Sequence, residues 1–180
     1  SLDHDIILEQ TTPSLTMGNT LLVPPPGSFL QATRAGEHML GTLVVEAAHR
    51  AKHIADLFAG VGTFSLRLAH HAQVHAVESD GDALASLDHA ARNTSHLKPI
   101  TIEIRDLFKR PLQPMELNRF DTVVFDPPRA GAEAQAQQLI RSEVATVIAV
   151  SCNAGTFVRD AKILIEGGYR LQKLWPIDQF

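Results

Sequence analysis

Ile54-Ala55-Asp56-Leu57-Phe58-Ala59-Gly60-Val61-Gly62-Thr63-Phe64 decides the fold. An apolar run enters a turn with two glycines, Asp56-x-x-x-Gly60-x-Gly62, and a helical pattern follows. Glycine there permits a tight turn and lets a ligand approach bare backbone, while the helix start presents free N–H groups. The next apolar run ends in Val77-Glu78-Ser79-Asp80, which brings an acidic side chain to the same crevice. A carboxylate at that place suits a ribose diol, because it can accept from both hydroxyls. The turn thus predicts a nucleotide site at the carboxyl end of a strand, although an unliganded strand–helix turn has the same local pattern.

Working outward, strand, turn and helix repeat. Strands are expected at 54–58, 74–78, 100–104, 121–126, 145–151 and 169–174, with helical stretches near 63–71, 81–93, 132–141 and 154–166. Such alternation with short connections predicts an α/β fold with a doubly wound, mostly parallel sheet. Met39, Leu40, Leu43 and Val44 recur at helical spacing and predict a helix over 33–51. Residues 1–28 alternate loosely, in Asp5-Ile6-Ile7-Leu8-Glu9 and Asn19-Thr20-Leu21-Leu22-Val23, before Pro24-Pro25-Pro26-Gly27. They read as a short N-terminal β-hairpin appendage and linker, the remnant of a preceding β-rich region, with the main domain over 29–180. The nucleotide is either a dinucleotide or S-adenosylmethionine. Dinucleotide turns carry a third glycine, where this chain has Leu66-Arg67.

Two further strand ends carry chemistry. Thr122-Val123-Val124-Phe125 runs into Asp126-Pro127-Pro128-Arg129, and Thr146-Val147-Ile148-Ala149-Val150 runs into Ser151-Cys152-Asn153. Each reads as the carboxyl end of a buried strand, where open α/β sheets build their sites. Pro127 and Pro128 lack backbone donors and stiffen the chain, holding Asp126 at the sheet edge; a rigid loop capped by Asp126 is the plainer alternative. Buried cysteine usually acts as a small hydrophobe. Cys152, however, ends a strand, precedes polar Asn153 and lies just before Thr156, which is placed to cap the next helix. A helix N-terminus favours a thiolate, and the thiolate is strongly nucleophilic. Cys152 therefore reads as a nucleophile.

Composition bounds the rest. The chain has 180 residues, 44% hydrophobic, enough for one sizeable core, and no apolar run long enough to cross a bilayer. Ser1 is no initiator, so a piece of a longer chain is expected. One cysteine excludes an internal disulfide framework and a Cys-rich metal site, and fits a cytoplasmic setting. Residues 1–100 carry six Lys/Arg against ten Asp/Glu, giving −4, and residues 101–180 carry ten of each, giving zero. Neither half reads by charge as a phosphate-binding surface. His49 and His53 have the spacing of a metal pair, but a helix end is expected between them and no further ligand is spaced to complete a site; no metal is expected.

Taken together, these residues resemble the S-adenosylmethionine-dependent RNA 5-methyluridine (uracil-C5) methyltransferases, from about Pro26 to the end of the chain. Phe29-Leu30-Gln31 is similar to the family's Phe-x-Gln, whose glutamine contacts the cofactor. The 56–64 stretch resembles the cofactor loop, bringing Phe58 and Thr63 in with Asp56, Gly60 and Gly62. Glu78 matches the ribose-binding acid, and Asp106 falls where the family places an adenine-side residue. Asp126-Pro127-Pro128-Arg129-Ala130-Gly131 and Ser151-Cys152-Asn153 resemble the specific signatures. The resemblance implies a Rossmann-like methyltransferase sheet, S-adenosylmethionine as cofactor and an rRNA or tRNA partner. It also implies a catalytic thiol at Cys152, with Asp126 at the junction of cofactor and uracil; Arg129 and Asn153 would then face the substrate.

Three departures stand beside the resemblance. Thr33 stands where the family has Asn, and Ala154 where it often has Pro. The family's general base, on a His-x-Glu segment, and its last, antiparallel strand would lie beyond Phe180. Without that strand 169–174 lacks a neighbour, and a loosened C-terminal edge is expected. Two rivals remain. Amino-methyltransferases use an Asn/Asp-Pro-Pro-aromatic loop, with Arg129 here in the aromatic place; a non-catalytic RNA- or protein-binding module is the other.

Overall fold

The computed structural model describes residues 13–178. Strands β1 (Leu15–Met17) and β2 (Thr20–Leu22) pair antiparallel about Gly18-Asn19. This is the expected hairpin, but both its strands lie after residue 14; the Asp5–Glu9 run falls outside the described residues. The hairpin is packed down, since Met17 and Leu22 are buried with Leu66, Leu84 and Leu87. Ser86 Oγ also donates to the carbonyl of Val23 at 2.5 Å.

Helix α1 (Arg34–Ala47) begins where Thr33 Oγ1 accepts from the Gly36 amide at 3.0 Å, so threonine serves as the cap here. The main sheet follows: β3 (His53–Leu57), β4 (Gln73–Glu78), β5 (Ile100–Ile104), β6 (Thr122–Phe125) and β7 (Thr146–Ala149), all parallel in the order β5-β4-β3-β6-β7. Since β3 pairs with β4 on one side and β6 on the other, the strand order reverses beside it. That is where open α/β sheets leave a crevice at their carboxyl ends.

Helices α2 (Ser65–Leu68), α3 (Gly81–Arg92), α4 (Pro114–Leu117), α5 (Glu133–Leu139) and α6 (Ala154–Glu166) make the connections. α2 is shorter than the expected 63–71, because residues before it are consumed by the glycine turn. α4 is one turn that the periodicity did not announce, closed reciprocally by Gln113 and Glu116.

Alternation along β3 splits the core. Ala55 and Leu57 pack with Phe125, Leu139 and Leu164 on one face. Ile54 packs with Val124, Leu40, Val44 and Leu68 on the other. Fully burying a leucine, isoleucine, valine or phenylalanine such as Leu57, Ile54, Val124 or Phe125 contributes about 1.5–3 kcal/mol. β6 is buried throughout, as its apolar run predicts, whereas β7 is only half-buried because it is the outer strand.

One expected strand is absent: residues 169–174 form neither strand nor helix. A strand persists only if its backbone groups find a partner, and among the described residues β7 pairs with β6 alone. The Tyr169 hydroxyl is tied to the Val144 carbonyl at 2.7 Å, but Leu171 and Leu174 are exposed. Among the described residues no helix is long and apolar enough to cross a membrane.

Candidate active site

The glycine turn after β3 is built from left-handed backbone, with φ of 59° at Phe58 and 53° at Gly60. A Cβ added at Gly60 would meet nothing within 4 Å, so its backbone faces open cleft. Gly62 differs. A Cβ there would lie 2.4 Å from Leu87 Cδ1, and the residue is buried; this glycine lets α3 close on the turn instead of lining the cleft.

Asp56 is also beneath the cleft. It is fully buried, Oδ2 accepts from Ser65 Oγ at 2.6 Å, and Oδ1 has no hydrogen-bond partner among the described residues. Burial pushes its pKa up to about 7 against the hydrogen bond from Ser65, with the charges of Asp126 and Glu78 adding to the rise.

Glu78, at the end of β4, is held by four donors. Oε2 accepts from the Gly60 amide at 3.0 Å, and Oε1 from the amides of Ser79 and Asp80 and from Ser79 Oγ. The carboxylate is thereby locked to the glycine turn, and Oε2, with a single partner, retains a lone pair for one hydroxyl. Beyond β5, Asp106 caps its own turn: Oδ1 accepts from the amides of Phe108 and Lys109, and Oδ2 pairs with Lys109 Nζ at 2.9 Å. The hydrogen bond from Lys109 holds its carboxyl below the usual range. Phe108 leans on Phe58 at 5.3 Å between ring centroids, and both rings line the cleft.

The Asp-Pro-Pro loop leaves β6 directly. Asp126 is tied to β3 through its amide, which donates to the Leu57 carbonyl at 3.3 Å. Its Oδ2 accepts from Gln31 Nε2 at 3.2 Å, a contact between positions 95 residues apart. Desolvation raises the Asp126 pKa to about 6, and the Gln31 hydrogen bond opposes the rise. On the neighbouring strand the Val150 amide donates to the Phe125 carbonyl at 2.9 Å, which sets the two loops side by side. Cys152 follows, exposed, with Ser151 and Asn153 bonded to each other. The expected cap at Thr156 is corrected. Asn153 caps α6, its Oδ1 accepting from the Gly155 and Thr156 amides, because it is the residue with extended backbone just before the helix.

One cleft thus gathers Gln31, Phe58, Gly60, Thr63, Glu78, Asp106, Asp126, Arg129, Cys152 and Asn153 around the ends of β3, β4, β6 and β7. Asp56 and Gly62 stand behind it. Arg129 is exposed at the cleft. The sequence reading missed Phe108, which sits in a loop with no periodicity to mark it, and the pairing of Gln31 with Asp126, which only the closed fold creates. Among the described residues no group of three or more His, Cys, Asp or Glu could hold a metal ion.

Comparison with known proteins extends over the same residues. The profile of the tRNA (uracil-5-)-methyltransferase family matches residues 20–180. A Rhizobium meliloti protein named as an RNA methyltransferase is 53% identical over 180 residues, 100% of this chain and 43% of its own length. The 23S rRNA (uracil(1939)-C(5))-methyltransferase of Chromohalobacter salexigens is 35% identical over 183 residues, 100% of this chain and 36% of its own. The chain therefore spans less than half the length of these relatives. Among solved structures, the Pyrococcus abyssi tRNA (uracil-54, C5)-methyltransferase in complex with S-adenosyl-L-homocysteine superposes with a TM-score of 0.74 at 28% identity, covering 84% of this chain and 37% of its own. With a match over most of its residues and the motif loops gathered at one cleft, this chain belongs to the tRNA (uracil-5-)-methyltransferase family.

Proposed function

We propose that these residues form the catalytic domain of an RNA methyltransferase that transfers a methyl group from S-adenosylmethionine to carbon 5 of a uridine in rRNA or tRNA. Residues 29–180 make up that domain in this reading, and 1–28 are the end of a preceding region. The observation that carries it is that Cys152 and Asp126, on loops that follow adjacent parallel strands, line one cleft with the open glycine turn.

The cleft fits an adenosyl cofactor. Gly60 offers open backbone, Glu78 a positioned carboxylate for the ribose, the Phe58 and Phe108 rings apolar surface, and Asp106 a carboxylate at the adenine side. The buried, unpartnered Oδ1 of Asp56 adds negative character beneath the turn when ionised. S-adenosylmethionine, once bound, supplies an electrophilic methyl on a sulfonium.

Carbon 5 of uracil is a poor nucleophile until carbon 6 is attacked. The Cys152 thiolate adds to carbon 6, forming the C–S bond and moving the ring π electrons into an enolate over carbon 5 and the carbon 4 oxygen. Asp126 orients the ring, and Arg129 stabilises charge on the oxygen. Carbon 5 would take the methyl as its bond to the sulfonium breaks, leaving the thioether S-adenosylhomocysteine; a base then removes the carbon 5 proton, and those electrons re-form the ring double bond as the thiolate leaves. By the resemblance the base belongs to a His-x-Glu segment, a pattern that does not occur in these residues. The target base must leave its stack to reach the cleft.

The test is covalent trapping in the full-length protein. RNA containing 5-fluorouridine, with cofactor present, should give a stable protein–RNA adduct, and Cys152→Ala should abolish it with cofactor affinity nearly unchanged. Retained methyl transfer by Cys152→Ala would overturn this reading in favour of transfer to a base nitrogen.

A further inference from the structure

The loop after Asp126 is gripped by α6 at three backbone groups almost in succession. Thr156 Oγ1 shares its one proton between the Arg129 carbonyl at 3.2 Å and the Asn153 carbonyl at 3.3 Å, and Arg159 Nη2 donates to the Ala130 carbonyl at 2.9 Å. The Ala132 amide donates to Asp160 Oδ2 at 2.6 Å. The grip is itself braced: Arg159 Nε donates to Asp160 Oδ1 at 2.8 Å, and Arg159 Nη1 lies 3.3 Å from Glu133 Oε2. Asp160 is only 4% exposed, a charge that a helix side carries at a cost unless it is fully partnered. Gly131 makes the approach possible, since a Cβ there would lie 2.6 Å from Arg159 Nη2, 2.7 Å from Asp160 Oδ2 and 2.8 Å from Thr156 Cβ.

Thr156, Arg159 and Asp160 stand at i, i+3 and i+4, so they share one face of α6. That face begins at the Asn153 cap, whose Oδ1 holds the Thr156 amide, and Cys152 is the preceding residue. A short, fully bonded path therefore runs from the thiol, through the cap and Thr156, to the backbone of Arg129.

We propose that Thr156, Arg159 and Asp160 are positioning residues, a clamp that fixes the Asp126–Arg129 loop against the Cys152 end of α6 so that thiol, carboxylate and guanidinium meet the base together. The proposal rests on the uracil-C5 reading above. It follows from the steepness of reaction rate with geometry, where a misplacement of about 1 Å costs on the order of 100-fold. None of the three residues need touch the cofactor, so the clamp acts on the base side of the cleft.

The experiment uses full-length protein and compares wild type with Thr156→Val, Arg159→Lys and Asp160→Asn. Thr156→Val keeps the shape and loses the hydroxyl proton shared by the Arg129 and Asn153 carbonyls. Arg159→Lys loses the fork that spans Ala130 and Asp160, and Asp160→Asn keeps an acceptor for Ala132 while losing the charge facing Arg159. Adduct formation with 5-fluorouridine RNA should slow roughly 10- to 100-fold in the last two and several-fold in Thr156→Val. The loss should fall in kcat, with KM for RNA and S-adenosylhomocysteine affinity within about threefold of wild type. Adduct rates equal to wild type in folded variants, or losses that track cofactor affinity or melting temperature, would overturn the clamp. If Asp160→Asn does not fold, Thr156→Val decides. Failure of the wild type to form any adduct would instead overturn the uracil-C5 reading on which the clamp rests.

Discussion

Burial governs the charge of the two aspartates that matter most, and each makes a pH prediction. Asp56 titrates near 3.8 when unfolded and near 7 when folded, so the folded chain binds its proton more tightly. Its contribution is favourable below about 4 and is lost as pH rises toward 7. Replacing it by Asn should flatten the pH dependence of stability across that window by up to about 4 kcal/mol, since each pH unit of difference is worth about 1.4 kcal/mol; denaturant titrations at a series of pH values measure this. For Asp126, raised to about 6, the carboxylate form should be the active one, so kcat/KM of the full-length enzyme should rise with pH through about 6. Gln31→Ala removes the donor that favours the carboxylate, and the rise should move to higher pH. At this scale much was legible. Glu78, Asp126 and Cys152 announced themselves by ending apolar runs. The link from Gln31 to Asp126 did not, because nothing local joins residues so far apart, and the cap on α6 was read one turn late.

The glycine turn separates two roles that its sequence shows as one. Gly62→Ala places a methyl against Leu87 and strains a backbone at φ 92°, and should cost about 2–4 kcal/mol of stability by chemical denaturation. Gly60→Ala meets no neighbour and should cost only about 1–2 kcal/mol for its left-handed backbone. Its methyl would project into the cleft, so calorimetry should show S-adenosylhomocysteine affinity falling at least tenfold. A near-wild-type affinity would show that the ligand keeps away from this turn. The central strands were readable as continuous apolar runs that end in turns, and the α1, α3 and α6 helices by apolar spacing near 3.6. The single-turn helix α4 and the shortened α2 were not, because one turn offers no period to read.

For the whole molecule, most of the residues proposed to hold the cofactor line one cleft of this chain, while its relatives are more than twice as long. The isolated 180-residue chain should therefore bind S-adenosylhomocysteine by calorimetry yet support multiple-turnover methyl transfer only in the full-length context. Radiolabelled transfer at full rate by the short chain would contradict the placement of the base on a His-x-Glu segment outside it. The sequence alone determined the local elements, the glycine turn, and the delivery of an acid and a thiol to strand ends, because backbone sterics and hydrophobic periodicity act within a few residues. Tertiary structure decided what depends on distant neighbours. It withheld the strand at 169–174, which pairs with no strand among the described residues, and put Asp56 where desolvation outweighs a hydrogen bond. It also closed α6 onto the Asp126 loop through contacts about thirty positions apart, which only chain folding can bring within hydrogen-bond range.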